Sequence, residues 1–175
     1  MDFDRLVDEY EKPIFNLIYR LVGDRDEAAD LTQETFVSAF RSFESFRGDS
    51  SAYTWLYRIA INKCKNKFKA SDRRRAHEHA SLDAESDSSG AAVEMPSGGD
   101  SPGQALERKE LRERIERAIG ELSPDYRIVA VLRDVQGLSY EEIAAATEVS
   151  VDVVRTRIAR ARAMLRQRLQ PYLVE

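Results

Sequence analysis

A single cysteine, Cys64, is the most marked shortage in this 175-residue sequence. One thiol excludes a disulfide framework and a cysteine-rich zinc site, and it is consistent with a reducing cytoplasm. The chain also lacks an apolar run long enough to cross a bilayer, and its N-terminus is acidic and amphipathic rather than signal-like. We therefore expect a cytoplasmic protein without direct membrane insertion.

The motifs of common enzyme classes are missing as well. The sequence has no glycine-rich phosphate loop, no nucleophile elbow and no pair of carboxylates arranged for catalysis. His77 and His79 flank Glu78, but two histidines in a basic segment more often bind nothing than bind a metal. We predict no catalytic residue, no metal and no cofactor.

The net charge of −4 does not by itself suggest a nucleic-acid-binding protein, but the charges are segregated along the chain. Residues 63–75 contain four lysines and three arginines, and a second basic run covers residues 155–168. Between them, residues 81–104 carry five acids and no lysine or arginine. This distribution leaves two basic segments that are able to bind nucleic acid.

Two short helices joined by a tight turn are predicted near the C-terminus. Ser139 and Glu142 have the spacing of a capping box at the start of the first helix, and residues 147–150 form the turn. The second helix carries an apolar stripe that comprises Val151, Val154, Ile158, Ala161, Leu165 and Leu169. Its opposite face comprises Asp152, Thr156 and Arg160, with Arg155 and Arg157 at the flanks.

That polar face is typical of the recognition helix of a helix-turn-helix, because arginine and threonine contact base edges in the major groove. An amphipathic helix with a solvated basic face has the same pattern and stays an alternative. Glu148 lies in the turn where such motifs often carry glycine, so the backbone there either avoids the left-handed region or is strained.

The N-terminal half is predicted to be helical throughout, from its three- and four-residue apolar spacing. A first helix ends at Gly23, with a kink or break expected at Pro13, and Asp24 with Glu27 starts a second. A third helix follows at residues 52–69, and Cys64 lies on its apolar face as a core thiol.

The other face of this third helix combines an aromatic residue with amides and cations: Trp55, Arg58, Asn62, Lys65, Asn66 and Lys69. Such a mixture suits stacking on unpaired bases and holding backbone phosphate. An amphipathic surface helix with a partly buried Trp55 is the alternative.

Small, polar and turn-forming residues separate the two halves, and they offer little apolar surface to offset the entropy of ordering. We predict an all-α fold with two small helical domains, the second containing the helix-turn-helix. The predicted boundaries are residues 1–75, a flexible acidic linker at 76–103, and residues 104–175. Each half is expected to fold separately.

Six stretches carry a resemblance to a known family: 30–36 (DLTQETF), 43–50 (FESFRGDS), 53–62 (YTWLYRIAIN), 122–124 (LSP), 137–144 (GLSYEEIA) and 154–162 (VRTRIARAR). The last two also resemble the helix-turn-helix domains of response regulators. In this order, with an acidic segment between them, the stretches resemble the extracytoplasmic-function sigma factors, a compact two-domain class of bacterial transcription initiation factors.

The resemblance implies three sets of binding residues. Core polymerase would be bound by Asp30, Leu31, Gln33, Glu34, Phe36 and Phe40. The minus-10 element would be bound and opened by Phe46, Arg47, Asp49, Ser50, Trp55, Arg58, Asn62 and Lys65. The minus-35 element would be bound by Asp152, Arg155, Thr156, Arg157 and Arg160.

The implied partners are core RNA polymerase, promoter DNA and an anti-sigma factor, and the implied function is transcription initiation of a stress or envelope regulon. The acidic linker would lie in the polymerase channel toward the RNA exit.

The alternative function is that of a DNA-binding regulator that uses the helix-turn-helix autonomously, usually as a dimer. A nuclease or recombinase is a more distant alternative. Residues 30–36 and 46–62 favour the initiation factor, because a simple repressor needs neither.

Overall fold

The computed structural model describes residues 2–46, 48, 51–78 and 102–172. Within these ranges it contains seven α-helices and no β-strand, which confirms the predicted all-α fold class. The helices are α1 (Phe3–Val22), α2 (Arg25–Phe43), α3 (Ala52–Glu78), α4 (Pro102–Gly120), α5 (Pro124–Ala130), α6 (Tyr140–Thr147) and α7 (Val151–Leu169). A π-helical turn (Val131–Val135) continues α5, and a 3-10 turn (Gln170–Tyr172) follows α7.

The ends of the predicted linker differ slightly from the helix bounds. Ala76 still belongs to α3, and α4 begins at Pro102, one residue before the predicted end at Gly103. The residues between them, 79–101, lie outside the described residues, and they include His79 and most of the predicted linker.

Helix starts follow the capping signals of the sequence. The Asp24 carboxylate accepts a hydrogen bond from the backbone N–H of Glu27 at 2.8 Å, which starts α2. At α6 the Ser139 hydroxyl accepts from the Glu142 N–H at 3.1 Å, and the Glu142 carboxylate accepts from the Ser139 N–H at 2.7 Å. Both predicted start sites are therefore confirmed.

Pro13 was expected to kink or break α1; the helix is not broken there, and a kink stays a prediction. The helix runs from Phe3 to Val22 and has buried apolar side chains on both sides of the proline, including Leu6 and Ile14. Tertiary burial of an amphipathic face supplies most of a helix's stability, and here it outweighs the hydrogen bond that proline removes.

The first half of the chain is a three-helix unit in which α1, α2 and α3 pack against one another. Its core includes Leu17, Leu21, Leu56 and Ile61, all fully buried. Cys64 belongs to the same core, and burial raises the pKa of its thiol to about 12. The prediction of a core thiol is confirmed.

The second half packs α5 and α6 against α7, and α4 runs along the same helix. The apolar stripe of α7 faces inward, with Val154, Ile158 and Ala161 buried. α7 has the predicted start at Val151 and the predicted end at Leu169. The predicted helix-turn-helix is therefore present as α6 and α7.

The two halves also pack directly against each other, chiefly through α3 and α6. The Tyr57 hydroxyl donates a hydrogen bond to Oε1 of Gln136 at 3.0 Å, and Lys65 Nζ donates to the Thr147 carbonyl at 3.4 Å. One hydrophobic cluster includes buried residues of both halves. We call this contact the interdomain seam; separate folding of the halves stays a prediction.

Arg127 of α5 lies in the seam and is held by carbonyl oxygens. It donates to the Leu21 carbonyl at 2.6 Å and the Leu122 carbonyl at 3.0 Å, and also to that of Gly120. Its guanidinium lies 5.4 Å from the centre of the Phe68 ring, and burial lowers its pKa. Since helix C-termini carry partial negative charge, the carbonyls of α1 and α4 stabilise this cation.

Candidate nucleic-acid interface

The polar face of α7 is open to solvent. Ser150 caps the helix, with its side chain accepting the Val153 N–H at 3.3 Å. Opposite the buried stripe, Asp152, Arg155, Thr156 and Arg160 are exposed, as the sequence predicts. A shallow open cleft of about 530 Å³ runs along this face, lined by Ser123, Asp125, Tyr126, Asp152, Val153, Thr156, Arg157 and Arg160.

Arg157 differs from the other predicted minus-35 residues because it turns back toward α5. Its side chain is only 24% exposed and pairs with Asp125 at 2.8 Å. A guanidinium already paired in this way is less free to donate to a base than the exposed Arg155 and Arg160. Arg157 therefore joins α5 to the recognition helix and borders the candidate DNA surface.

Two further arginines of α7 serve packing. Arg162 makes a two-point ion pair with Asp134, and Arg168 pairs with Glu121 at 3.1 Å. Neither Arg160 nor Arg166 has an ion pair within the part of the chain that the structure describes. The positive charge available on α7 is smaller than the arginine count suggests.

The second candidate DNA surface, on α3, is only partly available. Asn62, Asn66 and Lys69 are exposed and Arg58 is half-buried, but Trp55 is only 6% exposed. The prediction that Trp55 belongs to the outward face is wrong.

Aromatic packing explains the burial of Trp55. Its ring lies 4.7 Å from that of Phe46 and 6.5 Å from that of Phe43, measured between centroids. Phe46, one of the predicted minus-10 residues, is itself partly buried against the core. Of the other predicted loop residues, Arg47, Asp49 and Ser50 lie outside the described residues.

Protein groups already contact three of the four lysines of α3. Lys63 pairs with Glu34 at 3.4 Å, Lys67 pairs with Glu27 at 2.6 Å, and Lys65 is in the interdomain seam. Lys69 and the arginines at 73–75 are exposed beyond them. The free positive charge of α3 thus lies toward its C-terminal end.

α2 presents a third surface, in which acidic and apolar side chains are neighbours. Val37 is 50% exposed and Phe40 is 65% exposed, which is unusual for large apolar residues. A shallow cleft of about 410 Å³ is lined by Asp30, Gln33, Glu34, Val37, Ser38, Arg41 and Lys63. An exposed apolar patch rimmed by charges is typical of a protein-binding surface.

Two of the residues predicted to bind polymerase are not on this surface. Leu31 is buried, and Phe36 is half-buried against the core, because both lie on the face of α2 that packs on α1 and α3. Val37 was missed by sequence reasoning. Its position, three residues after Glu34 and three before Phe40, was the available signal.

No group of three metal-binding side chains comes together in the described ranges, which contain His77 but exclude His79. Among the helices described, none combines the length and apolar character needed to cross a membrane.

Known families match the two halves of the chain separately. Sigma-70 region 2 matches residues 6–74, and Sigma-70 region 4 matches residues 112–165. The RNA polymerase sigma-H factor of Pseudomonas aeruginosa is 42% identical over 174 residues, which cover 99% of this chain and 89% of that protein. The ECF RNA polymerase sigma-E factor of Escherichia coli K12 is 41% identical over 172 residues, covering 98% and 88%.

Solved structures agree with these matches. The sigma factor RpoE of Bartonella quintana, in complex with the anti-sigma factor NepR, superposes with a TM-score of 0.70 at 26% identity and covers 97% of each chain. CnrH, in complex with the cytosolic domain of CnrY, gives a TM-score of 0.66 at 24% identity, covering 97% of this chain and 88% of that one. The second likeness concerns the fold alone.

Proposed function

Because the chain belongs to the extracytoplasmic-function class of the sigma-70 family, we propose that its three polar surfaces divide the work of promoter recognition. As a sigma factor it directs transcription initiation by RNA polymerase. In the proposal α2 binds core polymerase, α3 with the loop before it binds and opens the minus-10 element, and α7 reads the minus-35 element. The corresponding domains are residues 1–75 and 104–175.

The exposed apolar residues of α2 carry the polymerase assignment. Val37 and Phe40 stay 50% and 65% exposed, although Phe40 also packs edge-on against Phe3, and Asp30 and Glu34 line the same cleft as Val37. Covering such a patch with a partner removes apolar surface from water, and the carboxylates select a basic partner surface.

The test uses the double variant Asp30→Arg with Glu34→Arg. It should abolish co-elution with core polymerase in gel filtration while circular dichroism shows unchanged helicity, since both side chains are exposed. The control is Asp4→Arg with Asp8→Arg on α1, two exposed acids with the same four-residue spacing and the same change of charge. Unchanged co-elution of the α2 variant, or equal loss in the control, would remove α2 from the polymerase interface.

The α3 assignment is supported by the exposed Asn62, Asn66 and Lys69, which combine amide and cationic groups on one side of the helix. Amides bind base edges and lysines bind phosphate. Phe46 packs on Trp55 of α3, with 4.7 Å between the ring centroids.

The minus-35 assignment is supported by the open face of α7. The capped N-terminal turn of α7 carries polar groups, and its arginines provide donors for base edges. The chain acts without a catalytic activity of its own and works in the cytoplasm, where promoter DNA and polymerase are found. An anti-sigma factor is included among its partners because the Bartonella quintana relative is in complex with one.

A further inference from the structure

One acid lies within the arginine-rich recognition helix, and it is paired. Arg155 Nη1 donates to Asp152 Oδ1 at 2.9 Å, and the two side chains are 62% and 89% exposed. An exposed ion pair contributes little to stability. A carboxylate on a DNA-facing surface also repels phosphate, so general attraction to DNA does not account for it. Its position in the first turn of α7 gives it a favourable interaction with the helix dipole, but that interaction is the same for every DNA sequence.

The surroundings of the pair fix its geometry. The Thr156 hydroxyl donates to the Asp152 carbonyl at 2.9 Å, so the only donor hydrogen of that side chain is already used. Arg157 is engaged with Asp125 at 2.8 Å and is largely covered. Arg155 is therefore the arginine of the first two turns of α7 that remains open to solvent, and Asp152 is the group that orients it.

The Asp152–Arg155 ion pair presents two hydrogen-bond donors beside one hydrogen-bond acceptor. Guanidinium N–H groups remain available on Arg155, and Asp152 Oδ2 is not used in the ion pair. In the major groove a G·C pair presents two acceptors, guanine N7 and O6, followed by one donor, the N4 amino group of cytosine. An A·T pair alternates acceptor, donor and acceptor, so it does not match.

We propose that Asp152 determines specificity by forming, with Arg155, a composite reader of one G·C pair in the minus-35 element. Arg155 donates to guanine N7 and O6, while Asp152 holds the guanidinium and accepts from the cytosine N4 amino group. The inference rests on the proposed function of α7. It gives the Asp152 carboxylate a role in selecting a base pair, which general charge attraction to DNA does not explain.

The first experiment uses holoenzyme reconstituted from the full chain and core polymerase. DNA with a randomised minus-35 element is selected for binding to the wild-type holoenzyme and, separately, to the Arg155→Ala holoenzyme. A G·C pair that the wild type prefers and Arg155→Ala does not is the pair that depends on Arg155. Affinities are then measured for this DNA and for DNA with that pair changed to A·T. Asp152→Ala should reduce the discrimination roughly tenfold, because the G·C promoter loses the hydrogen bond from the cytosine N4 amino group while the A·T promoter loses the repulsion between the carboxylate and thymine O4.

Glu148→Gln is the matched control, because it removes one negative charge from the exposed turn just before α7. It should change the affinity for both promoters by the same factor. Discrimination is a ratio of two affinities of the same protein, so a loss of folded protein in either variant cancels.

The second experiment removes from the DNA the cytosine N4 amino group, which is the proposed hydrogen-bond donor to Asp152. Replacing the cytosine by 2-pyrimidinone deletes the N4 amino group and should weaken binding of the wild-type holoenzyme several-fold, whereas the Asp152→Ala holoenzyme should be insensitive. Replacing guanine by 7-deazaguanine deletes N7 and should weaken both, because Arg155 is present in both.

Three results would overturn the inference. If Asp152→Ala changes the affinity for both promoters by the same factor, as Glu148→Gln does, the carboxylate acts only through its charge. The proposed function of α7 is unaffected by that result. Equal sensitivity of both holoenzymes to 2-pyrimidinone, or no G·C pair that depends on Arg155, would remove the composite reader. A wild-type holoenzyme without base preference anywhere in the randomised element would instead overturn the proposed function of α7 itself.

Discussion

The helices α3 and α7 have similar polar faces in sequence but differ in how much of that face is free. On α7 the predicted reading residues are exposed, except for Arg157. On α3 the aromatic residue is buried and Lys65 is bonded across the seam to the carbonyl of Thr147. Residue type therefore indicates a binding face, while the neighbours of a helix decide which groups remain available.

The seam that covers part of α3 depends on Arg127, and its loss should have the largest effect. Arg127→Met leaves the half-buried carbonyls of Leu21 and Leu122 and the exposed carbonyl of Gly120 without this donor, and an acceptor left unsatisfied costs about 1–3 kcal/mol where water does not replace the bond. We expect a loss of about 2–4 kcal/mol in the free energy of unfolding, measured with urea.

Arg160→Met is the matched control, because Arg160 is exposed on α7. Its unfolding free energy should stay within about 0.5 kcal/mol of wild type, as for most surface substitutions. Equal stabilities of the two variants would show that the seam contributes nothing to folding.

The next prediction compares two arginines of α7 to distinguish base reading from charge attraction. Arg160→Ala should cost about 1–3 kcal/mol in holoenzyme binding at the preferred minus-35 sequence and relax base preference there. Arg166→Ala, exposed further along the helix, should weaken preferred and scrambled DNA about equally and reduce the salt dependence. Identical behaviour of both variants on the two DNAs would mean that α7 supplies charge only.

A smaller effect is expected on α3, where strand opening is proposed. Asn62→Ala should spare polymerase binding and cost about 1 kcal/mol in open-complex formation, the value of one hydrogen bond. A template already mismatched across the minus-10 element removes the unpairing cost and should restore much of the activity.

Asn16→Ala, an exposed amide on α1, provides the control for strand opening and should behave as wild type. Phe46→Ala is a poorer probe, because it also removes the ring that packs on Trp55. Should Asn62→Ala be equally defective on duplex and mismatched templates, the residue supports docking or folding, and the α3 face loses its role in opening.

The smallest effect concerns the turn before α7. Glu148 has φ 59 and ψ 38, the left-handed conformation that costs a residue with a side chain about 1–2 kcal/mol. Glu148→Gly should relieve this strain and, after the greater chain entropy of glycine is subtracted, raise the unfolding free energy by about 0.5–1 kcal/mol.

Gly137→Ala is the opposite control. Gly137 has φ 75 with nothing near its missing Cβ, so alanine should lower stability by about 1 kcal/mol through backbone strain alone. Thermal unfolding of both variants checks the signs. A destabilised Glu148→Gly would indicate that the Glu148 side chain has a stabilising contact.

Local signals in the sequence were sufficient for most of the helices. The capping box at Ser139 and Glu142 and the stripe of Val154, Ile158 and Ala161 act between residues three or four positions apart. They therefore located α6 and α7 without knowledge of the fold. Of the kink or break predicted at Pro13, the break does not occur, because the local penalty of the proline is offset by burial against other helices.

The all-α class, the helix-turn-helix, the polar face of α7 and the family resemblance were all predictable from the amino-acid sequence, because each depends on residue type and short-range periodicity. The burial of Trp55, the ion pair between Arg157 of α7 and Asp125 of α5, and the hydrogen bond from Tyr57 to Gln136 were visible only in the tertiary structure. Those outcomes depend on side chains brought together from distant parts of the chain, and a helical pattern contains no information about which neighbour will cover it.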